Sequence, residues 1–117
     1  MKKWKFGTNN DYLVDLVLSG KKRATTSLYD SANFSTVGEV SILTFSDGSI
    51  ACITKTSRVV VTEFKNITWD LAELEGENKS LNEWKESHMN YFNEIYPNFN
   101  ENTKVIFEVF EVIKKCK

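Results

Sequence analysis

The stretch Gly20-Lys21-Lys22-Arg23-Ala24-Thr25-Thr26-Ser27 constrains this chain more than any other. Before it, Leu13, Val14, Leu16, Val17 and Leu18 make an apolar face broad enough for a well-buried helix over roughly residues 9–19. Gly20 tolerates the left-handed conformation that ends such a helix. After it, Thr25 to Tyr29 reads as a strand, with Thr25 and Ser27 on one face and Thr26 on the other. The chain must pass from buried helix to strand through a turn that carries a glycine, three cations and three hydroxyls. Such a turn is suited to form the floor of a small polar site.

The other elements follow in order. Trp4 and Phe6 form a short extended piece or a plug against the core, and Thr8-Asn9-Asn10-Asp11 has the form of a capping box. Tyr29 to Thr36 is a polar loop, and Val37-Gly38-Glu39 a turn. Val40 to Phe45 and Ile50 to Thr56 are strands joined by Ser46-Asp47-Gly48-Ser49, a strong hairpin signal because Asp-Gly accepts positive φ. Arg58 to Phe64 reads as a further strand in an antiparallel meander, and no βαβ crossover spacing is present. A short helix over Trp69 to Glu75 ends at Gly76. The second capping box, Ser80-Leu81-Asn82-Glu83, opens a long amphipathic helix that Pro97 stops. Its apolar face is Leu81, Trp84, His88, Tyr91, Phe92 and Ile95. Thr103 to Ile113 is the closing strand, and its broken alternation at Phe110 signals a bulge or burial on both faces. The expected fold class is α+β: a curved, mostly antiparallel sheet or open β-barrel of about five strands, flanked by about three helices.

With 117 residues the chain is expected to be one domain, 1–117. Fifteen cations against sixteen acidic groups exclude a polyanion binder held by bulk charge, and leave Lys21-Lys22-Arg23 as a local basic patch. The basic start, Met1 to Lys5, has no apolar run behind it, and no run approaches the roughly 18 residues of a membrane span, so a cytoplasmic protein without membrane partners is expected. Cys52 and Cys116 lie in strand-like runs and read as buried free thiols. Two cysteines and one histidine far apart give no metal-ligand spacing, so neither metal nor cofactor is expected. Asn-X-Ser/Thr triplets at Asn33, Asn66 and Asn78 carry no glycan meaning without a secretion signal.

Lys22 and Thr25 can converge in a turn leaving a helix, and a lysine beside a hydroxyl is one way to activate a nucleophile, provided the amine loses its proton. Asp70, Glu73, Glu75 and Glu77 are the carboxylates available to orient the pair. Taken singly, Lys21, Lys22 and Arg23 are ordinary cations at a helix end. His88, between Trp84 and Phe92, reads as a partly buried, hydrogen-bonded histidine rather than a general base. Trp69, Trp84 and Tyr91 read as core, and Tyr29, in the loop beside the motif, as the better aromatic for stacking a base.

Gly20-Lys21-Lys22-Arg23-Ala24-Thr25 fits the Gly-X-Lys-X-X-Thr signature of ASCH domains, relatives of the PUA RNA-binding fold. The chain resembles that family over nearly its full length. The resemblance takes in Val37-Gly38-Glu39, Ala72-Glu73-Leu74-Glu75-Gly76-Glu77, Ser80-Leu81 with Trp84 and His88, and Phe107-Glu108-Val109-Phe110. It implies a PUA-like core with a polar cleft for a nucleoside or single-stranded RNA. Some small members are amidohydrolases that deacetylate acetylated cytidine; others are ribonucleases or non-catalytic RNA binders. By position, the amidohydrolase set falls on Thr25 as nucleophile, Lys22 as base and cation, and Glu75 as the group orienting Lys22. Lys21, Arg23, Ser27 and Tyr29 are the implied substrate contacts. The small amidohydrolases typically carry arginine where this chain has Ser27, which is similar to a longer subgroup with a tryptophan-containing helix.

Overall fold

The computed structural model describes residues 1–32 and 34–116, so Asn33, which opens one of the three triplets, and Lys117 lie outside the described residues. Lys2–Trp4 is strand β1, and Asn10–Leu18 is helix α1. Ala24–Leu28 is β2, Val40–Thr44 is β3, and Ile50–Glu63 is β4. Trp69–Ala72 is the short helix α2, continued by a 3₁₀ turn at Glu73–Glu75. Leu81–Ile95 is α3 and Lys104–Lys115 is β5.

The strands form one curled half-barrel sheet in the order β1-β3-β4-β5-β2. All pairings are antiparallel except β1 with β3, which run parallel. The strand count matches expectation, but the strands are divided differently. The Trp4 segment is a strand in its own right, and the two strands expected over Ile50 to Thr56 and Arg58 to Phe64 are one long strand, Ile50–Glu63. The interruption near Ser57 is a bulge: Thr56 pairs with Phe110 and Arg58 with Val109, so Ser57 is the extra residue. This explains the broken alternation at Phe110, which is buried.

Two apolar clusters hold the sheet to its helices. Phe64, Trp84, Phe92, Phe99 and Phe107 form the first, with Trp84 stacked on Phe64 at 5.3 Å between ring centroids. Phe6, Leu13, Val14, Val17, Leu43 and Phe110 form the second, beneath α1. Ile95, expected on the apolar face of α3, is 53% exposed because α3 runs past the end of its core. Cys52 is buried as expected, but Cys116 is exposed because β5 ends at Lys115.

Capping differs between the two long helices. Ser80 Oγ accepts from Glu83 N–H at 3.1 Å, and Glu83 Oε2 accepts from Lys79 N–H at 2.8 Å. The box expected at Thr8 does not form. Asn9 is the cap residue in a left-handed conformation, φ 47°, and its side chain makes no cap bond. Asp11 is instead drawn to the β3–β4 hairpin, where Oδ1 accepts from Ser46 N–H at 2.8 Å. That long-range bond holds the Asp11 carboxyl below the usual range.

Candidate functional site

The turn after α1 delivers Lys22 into the interior. Gly20 adopts φ 83°, and the backbone N–H groups of Lys21 and Lys22 donate to Leu16 O at 2.9 and 3.1 Å. Arg23 N–H then donates to Leu74 O at 2.7 Å. Gly76, φ 74°, packs so tightly against this turn that a Cβ there would collide with the Lys21 carbonyl. Two glycine turns are thereby fastened together, one carrying Lys22 and the other Glu75 and Glu77.

The result is a buried ionic cluster. Lys22 is 2% exposed; its Nζ lies 3.0 Å from Glu75 Oε1 and 2.8 Å from Glu77 Oε2, and 5.3 Å from the centre of the Phe6 ring. Glu75 is equally buried and accepts from four groups. Oε1 faces Lys22 and also His88 Nε2 at 3.3 Å; Oε2 accepts from Thr26 Oγ1 at 2.6 Å and Trp84 Nε1 at 3.0 Å. His88 Nδ1 is 2.9 Å from Trp84 O. A carbonyl only accepts, so Nδ1 carries a hydrogen, and the carboxylate opposite Nε2 demands one there too. Below its folded pKa His88 is therefore an imidazolium, stacked on Trp84 at 4.2 Å. Burial alone would lower its pKa, but the hydrogen bond and charge of Glu75 outweigh it and raise the group above 6.5. Burial likewise would raise Glu75, yet Lys22, then His88 and Thr26, hold it down at about 2.

Glu75, Glu77 and His88 bring potential metal-ligand atoms within 4.8 Å of one another. Lys22 Nζ already serves both carboxylates, and a histidine donating from both nitrogens has no lone pair for a metal. As arranged, the set binds an ammonium.

The cluster lines a cleft of about 700 Å³, within the range of roughly 300–1,000 Å³ typical of small-molecule sites. Thr25 and Ser27 of β2 line it alongside Lys22, Glu75 and Glu77. The hydroxyl bonded to Glu75 belongs to Thr26, because the strand alternation turns Thr25 to the opposite face. Lys21 and Arg23 are exposed and do not line the cleft; Lys2 and Lys5 are the other lysines that line it. Tyr29 borders a separate shallow depression with Tyr96, and Lys104 Nζ lies 5.8 Å from the centre of its ring.

Glu108, on β5, lines the same cleft and pairs across the sheet with Thr25 and Val59. Burial pushes its carboxyl above 4.5, and nearby Glu39 adds to this; hydrogen bonds from Ser35 and the charge of Lys2 pull the other way. Glu39 Oε2 itself accepts from Ser35 Oγ at 3.2 Å and Ser41 Oγ at 3.4 Å. Sequence reasoning did not single out Thr26 or Glu108. For Glu108 a signal existed: a lone glutamate inside the apolar run Val105-Ile106-Phe107-Glu108-Val109-Phe110.

A half-barrel sheet with a polar cleft between its strands and a flanking helix defines the PUA-like class. Within it, the ASCH domain family matches residues 2–114, and the chain belongs to that family. Among solved structures it is similar to an ASCH domain from Lactobacillus crispatus JV V101, at 29% identity and a TM-score of 0.86, covering 97% of this chain and 79% of the other. A protein from Enterococcus faecalis V583 shares the fold at 24% identity and a TM-score of 0.88, covering 98% and 77%. A mutant ASCH protein from Zymomonas mobilis shares it more distantly, at 11% identity and a TM-score of 0.57, covering 94% and 66%. No curated protein matches. The ASCH fold is compatible with RNA binding, and among the described residues no helix is long and apolar enough to cross a membrane.

Proposed function

We propose that the cleft takes an acylated nucleoside and hydrolyses its amide. The observation that carries this reading is Lys22, fixed between Glu75 and Glu77 in the lining of a cleft that Thr25 also lines. Lys22 enters as a cation rather than the base implied by resemblance, since its head already donates to two carboxylates. Glu75, saturated by four donors, orients it.

Glu77 is the carboxylate with room to move a proton: one oxygen is on Lys22, and its side chain is 28% exposed. Thr25 lines the cleft from the strand face opposite Thr26, so in this reading the substrate bridges the two: Thr25 Oγ attacks the acyl carbon, its proton passes to Glu77 through one water, and the Lys22 ammonium faces the developing oxyanion. The C–N bond breaks as Glu77 returns the proton to the leaving nitrogen, and water then hydrolyses the acyl ester, freeing Thr25. Ser27 is the substrate contact retained from the sequence. Lys21, Arg23 and Tyr29 would meet only a ligand longer than the cleft.

The test is turnover of acetylated cytidine followed by absorbance. Wild-type activity that disappears in both Lys22→Met and Thr25→Val supports the reading; a wild type no faster than these variants ends it. A second reading, an RNA-binding module without chemistry, draws on Lys2 and Lys5 at the cleft. It expects RNA affinity that falls steeply with salt. Cleavage of labelled oligonucleotides would mark the third reading, a ribonuclease using the same cleft.

A further inference from the structure

A glutamate in the middle of an otherwise apolar strand is unfavourable twice over. Glutamate is a poor strand former, and burying its charge costs free energy unless donors surround it. Glu75 shows what full compensation looks like, with a donor at each available direction. Glu108 is different. What lowers its pKa is hydrogen bonding from Ser35, whose hydroxyl already donates to Glu39, and the charge of Lys2, and among the described residues no lysine, arginine or histidine pairs with it within 4 Å. A carboxylate has about four acceptor positions, so Glu108 keeps open acceptor capacity while facing the cleft.

Its position adds a second constraint. Glu108 and Thr25 are direct cross-strand partners, which sets their Cβ atoms about 5 Å apart on one face of the sheet. In a secondary amide the N–H and the carbonyl carbon are adjacent atoms. Thr25 facing the carbonyl carbon therefore leaves Glu108 facing the N–H.

We propose that Glu108 is the specificity-determining carboxylate of the cleft, accepting a hydrogen bond from a nitrogen-borne donor on the base edge of a nucleoside. This rests on the nucleoside reading above and adds the group that selects the base. Cytosine presents an exocyclic amino donor where uracil presents a carbonyl acceptor. A carboxylate at that point favours the first and repels the second.

The experiment is calorimetric titration of the full chain with cytidine and with uridine, repeated on Glu108→Gln. Wild type is expected to bind cytidine about tenfold more tightly, the cost of leaving one buried acceptor unpaired. Glu108→Gln is expected to bring the ratio close to one, because the amide offers a donor as well as an acceptor. A melting curve accompanies each titration, and Glu108→Asp, with a shorter reach, should give an intermediate ratio if the Gln variant melts early. Equal binding of both nucleosides by wild type, or an unchanged ratio in Glu108→Gln, overturns the role of Glu108 and leaves the nucleoside cleft standing. Failure of wild type to bind either nucleoside removes the cleft reading and this inference with it.

Discussion

Glu75 and Glu108 line one cleft, yet the carboxyl of Glu75 sits at about 2 while that of Glu108 lies above 4.5. Burial pushes both upward, and Glu75 is the more deeply buried of the two. The difference is in donors. Glu75 has Lys22, His88, Thr26 and Trp84 on its two oxygens, so it is a structural anion with nothing left for a ligand. Glu108 has Ser35 nearby and a second carboxylate, Glu39, working against it. A carboxylate saturated with donors is thus a fastening, while one with few donors, as at Glu108, keeps the acceptor capacity on which the proposed recognition role rests.

Removing Glu75 breaks this comparison most directly. Glu75→Ala leaves a buried ammonium, an imidazolium, an indole N–H and a hydroxyl without their shared acceptor. The expected loss is about 3–5 kcal/mol in urea denaturation, the cost of an uncompensated buried charge. A loss below about 1 kcal/mol would mean that water reaches the cluster freely.

The same anion sets the acid limb of stability. Its folded pKa is depressed from 4.5 to about 2, so its contribution, about 3 kcal/mol, is present above pH 4.5 and lost as pH falls toward 2. His88 has the opposite sign: raised from 6.5, its contribution is complete below pH 6.5 and lost as pH rises through the folded value. Melting temperature should therefore peak between about pH 4.5 and 6.5, and the alkaline decline should vanish in His88→Gln.

Gly76→Ala tests the fastening between the two turns. At φ 74° with the Lys21 carbonyl against it, alanine should cost about 1–3 kcal/mol. Gly48→Ala, at φ 89° but in open space, bears the backbone cost without the collision and should be milder in the same denaturation series.

The smallest effect reverses the sign. Glu108→Gln removes a charge whose raised pKa makes it unfavourable to folding at neutral pH. Stability at pH 7 should rise, by less than about 1 kcal/mol given solvent screening at a half-buried site. A clear loss instead would place Glu108 in the same structural class as Glu75.

Much of this architecture was legible in local pattern. The apolar face of α1 with Gly20 behind it, the Asp47-Gly48 hairpin, the Ser80–Glu83 box and the Gly76 stop all form where short-range periodicity and turn chemistry put them. Lys22 was named through the Gly-X-Lys-X-X-Thr signature and Glu75 through its position in the family resemblance, beside Glu73 and Glu77 as alternatives, and the structure brings Lys22 and Glu75 into contact. The site's internal bonding was not. Alternation separates Thr25 from Thr26 but cannot say which face meets Glu75, and a helix-end lysine looks the same in sequence whether it is solvated or buried. The capping box at Thr8 failed for a related reason: Asp11 found a partner 35 residues away.

Sequence by itself determined the elements, because helix caps, glycine turns and apolar alternation act over a few neighbouring residues. Tertiary structure alone decided the chemistry, bringing Lys22 to Glu75 across 53 residues and seating Thr26, Trp84 and His88 around one carboxylate. Those bonds depend on how two turns and a helix pack around the end of the sheet, and packing at that range leaves no mark in the periodicity of any single segment.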